Sequence, residues 1–166
     1  MAVMLFSENL FELARGILEA AHEAELKIAT AESCTGGLIM ACLTEIPGAS
    51  SNVERGFIVY ANQAKVEMLG VDADLIAAHG AVSEPVAMAM AEGALLHSGA
   101  DIAVSCTGIA GPGGGSSEKP VGLVCLAVAR KERTTLFNEC RFGDIGRTEI
   151  RLATVEAALK LLFQAM

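Results

Sequence analysis

Apolar residues at Leu10, Leu13, Ala14, Ile17, Leu18 and Ala21 recur at three- and four-residue spacing, which predicts an amphipathic helix with Ser7 as its cap. The run from Leu26 to Ala31 changes to a short β-type pattern and ends at the turn Glu32-Ser33-Cys34-Thr35-Gly36-Gly37. A second helical stretch from Leu38 to about Glu45 stops at Pro47-Gly48. Phe57-Ile58-Val59-Tyr60 reads as a strand, followed by a short helix carrying Lys65. Ser83-Glu84-Pro85 opens a longer helix, because Ser83 can cap it and Pro85 falls in the first turn, where a missing N–H costs nothing. That helix runs to about Ser98, and Gly99 ends it. Ile102 to Cys106 reads as a buried strand. Val121 to Ala129 and Thr134 to Arg141 read as two strands around the charged turn Arg130-Lys131-Glu132-Arg133. A final helix from about Gly146 to Phe163 places Ile150, Ala153, Thr154, Ala157, Ala158 and Leu161 on one side. This alternation predicts an α/β fold: a single-domain three-layer sandwich with a mixed, mainly parallel sheet between helices.

The length of 166 residues suits one domain, expected over 1–166. With 52% apolar and 19% charged residues, disorder is excluded. No uninterrupted apolar run reaches the ~18 residues that a membrane span needs. The start Met1-Ala2-Val3-Met4-Leu5-Phe6 lacks a basic residue and meets Ser7 and Glu8 too early for a signal peptide, so a cytoplasmic protein is expected. Twelve basic against twenty acidic residues give −8, which argues against a nucleic-acid surface. The five cysteines contain no C-x-x-C, and His22, His79 and His97 form no ligand cluster, so reduced thiols and no metal are expected. The apolar composition and low charge favour a homo-oligomer.

Three segments could carry chemistry. The stretch Thr107 to Pro120 holds glycines at 108, 111, 113, 114 and 115, whose backbone N–H groups can approach an anion unobstructed, with Ser116 and Lys119 as further donors. It matches neither common phosphate-loop pattern. The Glu32–Gly37 turn offers hydroxyls and backbone donors to a polar ligand or, equally, to helix capping. Cys34 in that turn is a rival nucleophile without a base tied to it by the sequence. The third segment joins Gly48-Ala49-Ser50-Ser51 to Tyr60 and Lys65: a serine needs a proton acceptor, and a lysine whose pKa is lowered by burial can be one. His79 suits capping or packing.

The strings Ala31-Glu32-Ser33-Cys34-Thr35-Gly36-Gly37, Gly56-Phe57…Tyr60-x-Asn62-x-x-Lys65, His79-Gly80-Ala81-Val82-Ser83-Glu84-Pro85, Gly108-Ile109-Ala110-Gly111-Pro112…Lys119-Pro120-Val121-Gly122 and Arg147-x-x-Ile150-Arg151 occur in order. Together they resemble the CinA C-terminal domain family, the nicotinamide-nucleotide amidohydrolases, in its stand-alone form. The resemblance runs from about Ser7 to the end of the chain. It implies cofactor-free hydrolysis of the carboxamide of nicotinamide mononucleotide to nicotinate mononucleotide and ammonia, by a Ser/Lys mechanism, in pyridine nucleotide salvage. Carried onto this chain it implies Ser50 as nucleophile, with Tyr60 and Lys65 as the other catalytic residues. Where many members read Gly-Ser-Ser this chain has Ala49, which leaves Ser51 as the alternative nucleophile. Ser33, Thr35, Thr107, Gly108, Gly111, Lys119 and Arg147 are the expected substrate-binding residues, the last two with the glycine loop for the phosphate and Arg55 as a weaker candidate. The partner expected is a small nucleotide, not nucleic acid or membrane. The alternative is a nucleotide-binding or interaction module, linked to competence or DNA damage, without turnover.

Overall fold

The structure is a computed structural model describing residues 5–166. The signal-peptide argument rests partly on Met1–Met4, which lie outside the described residues. In chain order the elements are α1 (Glu8–Glu23), β1 (Ile28–Glu32), α2 (Leu38–Thr44), a 3-10 turn (Ala49–Ser51), β2 (Val53–Ile58), α3 (Asn62–Leu69), α4 (Ala73–His79), α5 (Glu84–Leu96), β3 (Ile102–Gly108), β4 (Leu123–Arg130), β5 (Leu136–Arg141) and α6 (Arg147–Gln164). Ser7 caps α1 as expected, its side chain accepting from the N–H of Leu10.

The strands form one sheet in the order β2-β1-β3-β4-β5. β1 is parallel to both β2 and β3, β4 is antiparallel to β3, and β5 is antiparallel to β4. Every strand except β4 therefore points the same way, so the sheet is mixed and mainly parallel. Two parts of the local reading differ. β2 begins at Val53 and ends at Ile58, earlier than the Phe57–Tyr60 run suggested. It is an edge strand with only Phe57 buried, so most of its positions have no reason to be apolar. The short helix α4 was not anticipated. It is started by Asp72, whose side chain accepts from Asp74 N–H, and buries only Ile76.

The two faces of the sheet are packed differently. Ile28, Ile102, Val104, Leu126 and Val128 bury against α1, α2 and α6 through Ile17, Ile39, Leu43, Ile150 and Leu159. The opposite face is alanine-rich, with Ala29, Ala31, Ala103, Ala127 and Ala129, and it receives α3, α4 and α5. Small side chains on that face let α5 lie close to the sheet.

The connection from β1 to β2 carries α2 on one face, and the connection from β2 to β3 carries α3–α5 on the other. The chain thus steps from β1 outward to β2 and then back across β1 to β3 on the other side. In α/β sheets, the crevice beyond the strand ends at such a switch point is where ligands sit. Ser33 follows β1 there, Tyr60 follows β2, and Thr107 and Gly108 end β3.

Candidate active site

The turn after β1 is held by a buried carboxyl group. One Glu32 oxygen, Oε2, accepts from Thr35 Oγ1 at 2.6 Å, from Gly37 N at 3.1 Å and from Ile39 N at 3.0 Å. The other, Oε1, accepts from Met40 N at 2.8 Å. These amides are among the first N–H groups of α2, which have no helical acceptor and favour negative charge. Gly36 and Gly37 take φ values of +60° and +104°, a region that side-chain-bearing residues rarely adopt, which accounts for the Thr-Gly-Gly sequence. Ser33 is fixed on both sides: its N–H donates to Cys106 O at 3.1 Å and its carbonyl accepts from Gly36 N at 3.1 Å.

Lys65 projects from the first turns of α3 and is only 1% exposed. Its Nζ stands 3.0 Å from Val59 O, 3.1 Å from Tyr60 O and 3.2 Å from Ser33 Oγ. Burial pushes the Lys65 pKa below the ordinary lysine value, while the Cys34 and Cys106 sulfurs work against that shift. Nζ donates to all three oxygens, and loss of one proton would leave a lone pair facing the Ser33 hydroxyl while the two carbonyls keep the remaining N–H groups.

Ser33, Cys34, Tyr60, Asn62, Lys65, Thr107, Gly108 and Arg147 line one cleft of about 200 Å³. Thr107 is buried and donates through Oγ1 to Ala81 O at 2.9 Å. Arg147, from the start of α6, donates through Nη1 to Gly111 O at 2.7 Å and through Nη2 to Tyr60 Oη at 3.4 Å. Tyr60 is 64% exposed at the mouth. Its backbone carbonyl touches the lysine; its phenol meets Arg147.

Several expected site residues lie elsewhere. Ser50 and Ser51 belong to the turn before β2, at the opposite end of that strand from Tyr60. Lys27 Nζ donates to Ser51 O, and Asn52 Nδ2 donates to Leu26 O, which ties this turn to the start of β1. The six residues of β2 span roughly 20 Å at ~3.3 Å each, so Lys65 cannot reach either serine. Ser50 is therefore corrected: the serine beside the lysine is Ser33, which was expected only to bind substrate. A lysine and a serine that bracket a strand are held apart by its full length, however close they stand in sequence. Thr35 is buried and spends its hydroxyl on Glu32, with Cys106 Sγ 3.0 Å away, so it shapes the turn without lining the cleft. Gly111 contributes only its carbonyl to Arg147. Lys119 is half-buried and donates to His79 O, pinning the glycine loop to the end of α4 outside the cleft. Arg55 pairs with Glu54 on exposed β2. Asn62, which stands in the Tyr60-x-Asn62-x-x-Lys65 string but carries no expected site role, also lines the cleft, three residues before Lys65 on one helix face.

Among the described residues no group of three or more His, Cys, Asp or Glu side chains could hold a metal ion, and no helix is long and apolar enough to cross a membrane. A sequence profile described as the CinA C-terminal domain matches residues 10–166. The chain belongs to the CinA C-terminal domain family. It is 54% identical over 143 residues to a CinA-like protein of Chlorobaculum tepidum, an alignment covering 83% of this chain and 33% of that protein. It is 55% identical over 140 residues to a CinA-like protein of a Mycobacterium species, covering 84% of this chain and 33% of the relative. The chain thus spans about a third of the length of these relatives. Among solved structures, the competence/damage inducible protein CihA of Agrobacterium tumefaciens superposes with a TM-score of 0.96 at 54% identity, covering 98% of each chain. A CinA superfamily protein of Escherichia coli gives a TM-score of 0.90 at 28% identity, covering 99% of this chain and 96% of the other.

Proposed function

We propose that this CinA domain hydrolyses the carboxamide of nicotinamide mononucleotide, with Ser33 as nucleophile and Lys65 as general base. The observation that carries the mechanism is the buried Lys65 amine 3.2 Å from the Ser33 hydroxyl at the floor of a cleft. The choice of amide rests on the family resemblance in the ordered motifs. Neutral Lys65 accepts the Ser33 proton as Oγ attacks the amide carbon. The protonated lysine then gives that proton to the departing nitrogen, and ammonia leaves an ester on Ser33. Water, deprotonated by the same amine, cleaves the ester to the carboxylate and restores the serine.

The tetrahedral oxyanion needs donors. Among the described residues, the backbone N–H groups of Cys34 and Thr35 donate to no other residue, and they directly follow the nucleophile in sequence. Such donors, fixed before the reaction, are each worth about 10²–10³ in rate. Arg147 supplies a cation at the cleft for the nucleotide phosphate, and Asn62, Thr107 and Gly108 supply neighbouring polar contacts. This setting is the cytoplasm, where the five free thiols would stay reduced, and the reaction belongs to pyridine nucleotide salvage. Incubation of the purified protein with nicotinamide mononucleotide is expected to release ammonia and nicotinate mononucleotide in equal amounts. A folded protein that binds the nucleotide and releases neither product is instead a binding module.

A further inference from the structure

Arg151 does not line the cleft, yet it reaches the turn that carries Ser33 from behind. From the second turn of α6 its Nε donates to Cys34 O at 3.1 Å and its Nη2 donates to Thr35 O at 3.0 Å. A planar guanidinium can satisfy two neighbouring carbonyls at once; an ammonium cannot do so with the same fixed geometry. Gly36, between these carbonyls and α2, takes a φ of +60° that lets the turn present both of them on one side. In a trans peptide the N–H points opposite to the carbonyl of the same plane. Holding Cys34 O therefore sets the direction of the Thr35 N–H, which has no acceptor of its own among the described residues. Glu32 grips the same turn from the α2 side through Thr35 and Gly37.

We infer that Arg151 is a positioning residue for hydrolysis: its two hydrogen bonds fix the peptides that follow Cys34 and Thr35, which aims the Thr35 N–H that receives the oxyanion and holds the Gly36 N–H on the Ser33 carbonyl. The inference rests on Ser33 being the nucleophile. Binding of substrate to the cleft does not require the clamp, but stabilisation of the transition state does.

The test measures Arg151→Ala and Arg151→Lys with nicotinamide mononucleotide, alongside hydrogen exchange of the amides in residues 33–37. Arg151→Ala is expected to lower kcat by about 100-fold, the scale of a lost oxyanion donor, with KM close to that of the wild type. Methylguanidinium should restore part of that rate, Arg151→Lys should fall between the two proteins, and turn amides should exchange faster while those of β3 and β4 do not. A raised KM with unchanged kcat, or loss of activity without rescue and with wild-type exchange in the turn, overturns the inference. If Arg151→Ala does not fold, the kcat and exchange of Arg151→Lys decide. A wild-type protein without amidase activity removes the Ser33 reading, and the exchange rates still decide whether Arg151 orders the turn.

Discussion

The Lys65 amine and the Ser33 hydroxyl meet at 3.2 Å although they lie on different elements, the one on α3 and the other on the turn after β1. With two carbonyls taking the other two directions around Nζ, the contact gives the amine one open partner. This arrangement makes the protonation state of Lys65 the control of the reaction.

Rate should therefore follow deprotonation of that lysine. The neutral amine is present above its pKa, so kcat/KM is expected to rise with pH along a limb whose midpoint lies below the ~10.4 of a free lysine. Lys65→Arg, which cannot accept a proton at any accessible pH, should lose about 10²–10⁴ in rate and the limb with it. The same group links pH to folding. The unfolded chain keeps this proton up to ~10.4 and the folded chain releases it earlier, so stability rises with pH between the two values and is flat below them. A pH–rate profile and thermal melts across the alkaline range check both.

Arg147 should act on binding rather than chemistry. Its guanidinium reaches the cleft between Gly111 O and the Tyr60 phenol and makes no hydrogen bond to Lys65 or Ser33. Loss of one charge-assisted hydrogen bond to phosphate costs about 1.5–3 kcal/mol, or roughly 10- to 100-fold. Arg147→Ala is expected to raise KM by that factor with little change in kcat, as measured by steady-state kinetics. The nucleoside, lacking the phosphate, should be insensitive to the substitution.

Cys34 is the thiol that tests the rival nucleophile. Its pKa is lowered chiefly by a hydrogen bond from Cys106, whereas burial pushes Cys42 and Cys125 up to about 11. It also lines the cleft beside Ser33. Iodoacetamide is expected to label Cys34 first and block turnover, because the adduct fills the cleft, while Cys34→Ala retains most of its activity. Peptide mapping of the labelled protein, with and without nucleotide, locates the adduct.

The layer architecture was legible because its signals are periodic: the α1 stripe from Leu10 to Ala21 and the buried runs of β1, β3 and β4 appear as expected, and α5 starts at Ser83–Pro85 with the proline in its first turn, although the Ser83 hydroxyl donates to Gly80 O instead of capping the helix. The site was legible only in part. Lys65, Tyr60, Ser33, Thr107, Gly108 and Arg147 all border one cleft, but their roles depend on which strand ends are neighbours. Ser50 and Lys65 are close in sequence and separated by β2; Ser33 and Lys65 are 32 residues apart and in contact. Parallel pairing of β1 with β2 decides this, since it brings Glu32 beside Ile58 and so the residues after each strand together. Nothing in the spacing of serines and lysines encodes that pairing. The Arg151 clamp was hidden for the same reason, because α6 packing sets it, whereas the Glu32 contacts are local and realise the helix-capping alternative for that turn.

The central claim is the identity of the nucleophile, and the most direct test compares ammonia release by Ser33→Ala and Ser50→Ala under saturating nicotinamide mononucleotide. Ser33→Ala is expected to fall to background while still folding and binding the nucleotide, and Ser50→Ala is expected to turn over at the wild-type rate. Full activity in Ser33→Ala, or its loss in Ser50→Ala, would contradict the account.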